Sequence, residues 1–137
     1  MLMTRTPLRI SLGGGGSDLP SYYEKYGGFF VSAAIDKFVY IGLNKSFNEK
    51  YFIRYQQQEL VGAITEIRHP LVREVLSSHD VGPVEVVSLA DLPSGTGLGS
   101  SGSFVVGLLR AFYAYKREPI TNGALAAEAC DIEIGRL

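Results

Sequence analysis

The stretch PSGTGLGSSGS, residues 93–103, places glycine at three alternate positions, 95, 97 and 99, just ahead of an apolar run, FVVGLLRAFYAY. No other feature limits the possible folds as strongly. Glycine loses more freedom on ordering than any other residue, and a plain chain reversal needs only one or two. Val105, Leu108, Leu109 and Phe112 share one face of a helix expected from about Ser101 to Lys116, so the loop is anchored to a core. The N-terminus of a helix carries unpaired N–H groups and a partial positive charge. A loop of successive amides ahead of it makes a cradle for an anion. Gly95, Gly97 and Gly99 permit the wrap, and Ser100, Ser101 and Ser103 offer hydroxyls to a phosphate or to Mg²⁺. No GK[ST] follows the glycines, which excludes a Walker-type loop. A flexible turn followed by a serine N-cap uses the same residue types, so the loop by itself leaves both readings open.

The remainder of the chain narrows the class. Its 137 residues, 46% of them hydrophobic, suit one globular domain with its own core. Thirteen basic residues against fourteen acidic ones leave no basic surface for nucleic acid. The single Cys130 excludes an internal disulfide, and a buried, inert thiol in a reducing compartment is expected. The apolar patch near the N-terminus is too short for a signal peptide or a membrane span. A cytoplasmic protein with no membrane partner is the expectation.

Alternation at Leu8, Ile10 and Leu12 marks a strand that ends at the GGGGS of 13–17. LPSYYEKY reads as a short helix closed by Gly27 and Gly28. FFVSAAID and KFVYIGLNKS read as two strands, and EKYFIRYQQQEL as another strand leading into a turn. ITEIRHPLVREVLSSH is helical with a break before Pro70, and VEVVSLADLP is a strand. Thr121 is the favoured N-cap of the last helix, with Asn122 as competitor. That helix is cut at Leu137 with an apolar face of Leu125, Ala126, Ala129 and Ile132. A fragment of a longer protein is therefore expected, able to self-associate through that face. Strands early and helices late make an α+β domain.

The spacing of Pro93, Gly97, Leu98, Gly99, Ser100, Ser101 and Gly102, after a strand and before a helix, resembles the second motif of the GHMP kinase superfamily. Gly102 departs from the serine or alanine usual there. The segment from Thr6 to Lys45 resembles the opening of the sugar-kinase branch, closest to the D-glycero-D-manno-heptose 7-phosphate kinases. The resemblance covers essentially the whole chain. It implies a ribosomal protein S5 domain 2-like fold, with 1–137 an incomplete N-terminal domain that binds ATP and sugar. The segment holding the family's catalytic aspartate, and the C-terminal half, lie beyond it. The alternative is a non-catalytic domain of the same shape that binds nucleic acid or protein.

The resemblance implies roles for particular residues. Asp18 matches a sugar-binding aspartate, although it is equally placed to cap the helix after it. Gly27 and Gly28 match a pair that shapes the edge of the sugar pocket. Gly15 and Gly16 lie in a run whose close approach serves either a strand or the sugar. Arg9 matches an arginine near the transferred phosphate or the attacking hydroxyl. Pro93, Gly95, Gly97, Leu98, Gly99, Ser100, Ser101, Gly102 and Ser103 form the ATP phosphate loop. Glu133 matches a carboxylate that holds Mg²⁺ with Ser100 or Ser101, while Glu128 is expected to be solvated. His69 and His79 have no catalytic partner at useful spacing. Asn44, Lys45 and Lys50 are weaker candidates for reaching nucleotide. The implied reaction moves the γ-phosphoryl of ATP to a hydroxyl of a sugar or sugar phosphate, and the isolated fragment is expected to be inactive.

Overall fold

The computed structural model describes residues 1–135; Leu137, where the helical pattern is cut, lies outside the described residues. In chain order the elements are β1 (Leu2–Gly13), α1 (Pro20–Tyr26), β2 (Val31–Lys45), β3 (Tyr51–Arg54) and β4 (Gln58–Val61). A single 3₁₀ turn (Ile64–Glu66), α2 (Pro70–His79), β5 (Val84–Ala90), α3 (Ser100–Lys116) and α4 (Asn122–Cys130) follow, and a π-helical turn (Asp131–Gly135) continues α4. The strands form one sheet in the order β1-β2-β5-β3-β4. Only the β3–β5 pair is parallel.

The alternation of β2 builds the inner face of this sheet. Val39, Ile41 and Leu43 are buried, as are Val84 and Val86 of the neighbouring β5. FFVSAAID and KFVYIGLNKS are not two strands: Val31–Lys45 is continuous. The pairing passes from Pro7↔Phe38 to Arg9↔Ala34, so β2 holds extra residues between Ala34 and Phe38. A bulge absorbs the expected break. Conversely, EKYFIRYQQQEL folds back as the β3–β4 hairpin.

Helix α3 lies on this inner face, with Val105, Leu108, Leu109 and Phe112 fully buried as expected. Polar contacts lace it to β1. Thr4 Oγ1 donates to the Gly107 carbonyl at 2.8 Å, and Ser103 Oγ donates to the Pro7 carbonyl at 2.8 Å. A β-carbon at Gly107 would stand 2.8 Å from Thr6 Oγ1, so glycine lets the helix approach the strand closely. This seating sets where the start of α3 presents its amides.

The last helix departs from expectation. Leu125, Ala129 and Ile132 are already buried within the chain, and only Ala126 of the expected apolar face is exposed. The face proposed for self-association is therefore covered by the domain's own core. Cys130 is exposed, not buried. It follows the inward Ala129 by one residue, about 100° around the helix, and so points away from the core. Thr121 is the N-cap, accepting from Ala124 N–H at 3.2 Å. Glu128 is not solvated: its Oε1 lies 2.8 Å from His79 Nε2, and its Oε2 accepts from Tyr113 Oη at 2.7 Å. His79 thus has a partner, 49 residues away in sequence.

Candidate functional site

The loop between β5 and α3 alternates in backbone sign. Gly95, Gly97 and Gly99 take φ of +82°, +74° and +71°, whereas Thr96 and Leu98 do not enter the left-handed region. This accounts for glycine at every second position, because other residues pay to enter that region. A β-carbon at Gly95 or Gly97 would meet no protein atom within 4 Å, so the loop is uncrowded at both positions. The loop is pinned at its start by Asp91, whose Oδ2 accepts from Phe38 N–H at 2.8 Å. Gln56 Nε2 donates to Ser94 Oγ at 2.7 Å and ties the loop to the β3–β4 hairpin.

The N-cap of α3 is Gly99, with no side-chain cap hydrogen bond. The serine N-cap of the plain-turn reading is absent, and the first amides of α3 have no side-chain acceptor. Ser100 and Ser101 line the cleft in front of them. Ser103 does not face it. Ser103 is 7% exposed, and its hydroxyl is committed to the Pro7 carbonyl, so a role as a phosphate ligand through that group is replaced by one in seating the helix.

Two distant residues converge on this helix start. Arg9 N–H donates to the Leu98 carbonyl at 3.0 Å. A β-carbon at Gly99 would lie 3.0 Å from Arg9 Cγ and 3.1 Å from Nε, so the guanidinium arm runs alongside the loop. From the other side, Glu133 Oε2 would lie 3.3 Å from a β-carbon at Gly102. Glycine at 102 leaves room for that carboxylate against the first turn, where the helix dipole favours a negative charge. Asn44 and Lys45 fall elsewhere. Lys45 pairs with Val84 and Val39 with Ala90, so the two side chains sit at the far end of β5 from the loop.

Among the described residues no group of three or more His, Cys, Asp and Glu converges as a metal cage. The donors at the head of α3 are two hydroxyls and one carboxylate. This hard-oxygen set fits Mg²⁺, which keeps waters and takes phosphate oxygens rather than a full protein shell.

The second candidate site lies at the end of β1. Ser17 Oγ lies 2.6 Å from the Gly14 carbonyl and 2.9 Å from the Phe29 carbonyl, which compete for its one proton, and accepts from Phe29 N–H at 3.2 Å. The serine staples the glycine run to the chain after α1. A β-carbon at Gly14 would strike the Phe29 carbonyl, and one at Gly28 the Ser17 carbonyl. The close approach that the glycine run required is thus to backbone, at Gly14. Gly15 and Gly16 face open space. Gly27 takes φ +72° and ends α1. The N-cap of α1 is Leu19, without a side-chain bond, so Asp18 does not cap it. Instead Asp18 Oδ1 accepts from Gly16 N–H at 3.1 Å. Asp18, Ser17, Tyr23, Gly28 and Phe30 line a depression of roughly 410 Å³.

Sequence reasoning missed the wall of the main cleft, a cavity of roughly 720 Å³ running from the loop to Tyr55, His69 and Phe104. The His69 ring stacks on Phe104 at 5.0 Å, and Tyr55 meets it edge-on at 4.7 Å. His69 caps α2, its Nδ1 accepting from Val72 N–H at 3.4 Å. Burial pushes its imidazole below the usual histidine range, with the Glu59 carboxylate opposing in part. Glu59 is 8% exposed and accepts from Arg68 N–H at 2.7 Å, His69 N–H at 3.3 Å and Tyr55 Oη at 2.9 Å. Burial pushes its carboxyl up, but these hydrogen bonds outweigh burial and hold it below the ordinary carboxylate value. The His-Pro step was a legible capping signal. An inward glutamate in QQQEL carries none.

Comparisons with known proteins give the family and the fold. Residues 59–136 match the family model described as GHMP kinases N terminal domain. A D-glycero-alpha-D-manno-heptose 7-phosphate kinase from Campylobacter jejuni is 29% identical over 145 residues, covering 96% of this chain and 43% of that protein. The crystal structure of a D-glycero-D-manno-heptose 1-phosphate kinase from Bacteroides thetaiotaomicron aligns with TM-score 0.83 and 24% identity, over 96% of this chain and 47% of its own. A Streptococcus pneumoniae phosphomevalonate kinase structure aligns with TM-score 0.80 and 18% identity, over 99% of this chain and 43% of its own. These two structures show the shared fold. The chain spans less than half the length of the relatives it matches.

Proposed function

The chain belongs to the GHMP kinases by its N-terminal domain, and on that premise we propose that residues 1–137 are the ATP- and sugar-binding part of a sugar or sugar-phosphate kinase. The reaction is transfer of the γ-phosphoryl group of ATP to a substrate hydroxyl. A heptose phosphate is the favoured substrate class, since the Campylobacter and Bacteroides relatives are described as heptose phosphate kinases. The observation that carries the reading is the open helix start. Its glycine loop alternates in φ, its amides have no side-chain cap, and Arg9 and Glu133 flank it from distant parts of the chain.

Each residue then has a task. The amides of 95–101 and the dipole of α3 hold the β- and γ-phosphates. Arg9 stabilises charge that develops on the moving phosphoryl group. Glu133, with Ser100 and Ser101, would hold Mg²⁺, which when bound neutralises phosphate charge. Asp18, with one oxygen turned to Gly16 N–H, offers the other to sugar hydroxyls. Gly27 and Gly28 keep the rim of that depression low. The main cleft beside the loop, walled by Phe104, His69 and Tyr55, takes the nucleotide base. The group that orients the substrate proton comes from a C-terminal portion that also closes the sugar site. Catalysis is chiefly positioning and electrostatics.

The test is coupled ADP release by a longer chain containing these residues, run over a panel of sugars and sugar phosphates. Turnover highest with a heptose phosphate, and lost with Gly97→Val, supports the reading. Release that does not depend on any sugar would sink it.

A further inference from the structure

We propose that Glu59 is a positioning residue of the nucleotide cleft: its buried carboxylate sets the aromatic wall formed by Tyr55, His69 and Phe104, and through that wall the preference for a base-bearing nucleotide over bare polyphosphate. This rests on the reading of the cleft as the nucleotide site.

Glu59 does not reach the phosphate loop. It acts through three donors on two segments. Oε2 accepts from Arg68 N–H, and Oε1 accepts from His69 N–H and Tyr55 Oη. These bonds hold the entry to α2 and the end of β3 against β4. Their effect falls on the His69 ring, held between the face of Phe104 and the edge of Tyr55. With Nδ1 accepting from Val72 N–H, the neutral ring carries its proton on Nε2, a donor on a residue that lines the cleft. A planar aromatic ligand entering this cleft meets stacked rings whose orientation depends on one carboxylate. Polyphosphate, which needs only the loop, does not.

Glutamine at 59 is nearly isosteric but cannot serve three donors. With its oxygen at the Oε1 position, its NH₂ faces Arg68 N–H. Flipped, the NH₂ faces both His69 N–H and Tyr55 Oη. In either arrangement a buried donor meets a donor.

The experiment measures ATP and tripolyphosphate affinities of the chain by NMR titration, with Mg²⁺ present, for wild type, Glu59→Gln and Tyr55→Phe. Wild type is expected to prefer ATP. Glu59→Gln should lose roughly tenfold in ATP affinity while its tripolyphosphate affinity holds, and Tyr55→Phe should lose less in the same direction. Equal weakening of both ligands, or no change in either, overturns the proposal, because a purely structural role scales both alike. Should Glu59→Gln fail to fold by circular dichroism, the ratio in Tyr55→Phe decides: unchanged, it overturns the proposal; reduced, it supports it. Wild type without preference for ATP, or binding neither ligand, overturns the cleft reading itself and the role of Glu59 with it. A wild-type preference that survives in both variants overturns only the role of Glu59.

Discussion

At position 97 a β-carbon would touch no protein atom, yet φ is +74°. Two effects therefore separate there. Gly97→Val pays for a left-handed β-branched residue, about 1–3 kcal/mol of stability. On the proposed reading of the loop, it also intrudes on the space for a phosphate. In a kinase chain containing this domain, the variant is expected to stay folded and to lose ATP binding by calorimetry; undiminished affinity would refute the phosphate role of the loop. Asp18 offers the complementary case. The helix after it is capped by Leu19 without a side-chain bond, so Asp18→Asn should leave α1 intact. Asn can still accept from Gly16 N–H, but it cannot make the charge-assisted bonds proposed for the sugar hydroxyls. The expected result is a fall in kcat/KM for sugar of roughly tenfold or more, with the KM for ATP close to wild type. Equal effects on both substrates would return Asp18 to a purely structural part.

At the scale of elements, one side chain adds a polar clamp to the apolar packing that seats α4 and its π turn. Glu128 accepts from His79 of α2 and Tyr113 of α3, and five residues later Glu133 reaches the head of α3. Glu128→Gln leaves one of these donors facing an amide, a loss of about 1–3 kcal/mol. Hydrogen exchange across 131–135 should rise in this variant, with α3 still protected; uniform exchange in wild type and variant would show that the clamp does not hold the turn. The entry to α2 is expected to respond to pH. The folded carboxyl of Glu59 lies below its ordinary 4.5, so the unfolded chain binds its proton more tightly. Its contribution to stability is complete above that ordinary value and is lost as pH falls through the lower folded value. His69, held neutral below its ordinary 6.5, acts in the same sense: its contribution is full above that value and declines as pH falls below it. Thermal midpoints should therefore drop from neutral to acid pH, with the lower part of the drop flattened in Glu59→Gln. An acid limb identical in the variant would exclude Glu59 as its source.

For the whole molecule, the uncovered apolar surface is not where the sequence placed it. The face of α4 is closed, whereas the arm built from the end of β1, α1 and the start of β2 is bare. Leu12, Tyr26 and Phe29 are 71%, 75% and 79% exposed, and α1 buries none of its residues. The arm also carries Asp18, so the proposed sugar site lies at an exposed edge of the domain. Positioning two substrates needs groups on both sides of them. The 137-residue chain alone is therefore expected to show no sugar-dependent ADP release, although weak phosphate affinity can persist at the intact loop and helix start. Release well above a Gly97→Val control would show that residues 1–137 complete an active site by themselves.

The glycine loop ahead of α3 was legible in the sequence because its physics is local. Alternate glycines, an apolar helix behind them and a strand ahead lie within one contiguous stretch, and backbone sign and helix dipole follow from it. The core faces of β2 and α3 were legible for the same reason, since periodicity is a property of neighbours. Other outcomes were decided only in three dimensions. Ser103 turned to Pro7, Glu128 found His79 and Tyr113, and the inward Glu59 gathered three donors. A buried polar atom must be satisfied by whatever the fold brings near it, and spacing along the chain does not reveal that partner. Arg9 and Glu133 could be named from a motif, but their meeting at the two sides of one helix start depends on the β1 edge and the π turn closing over α3.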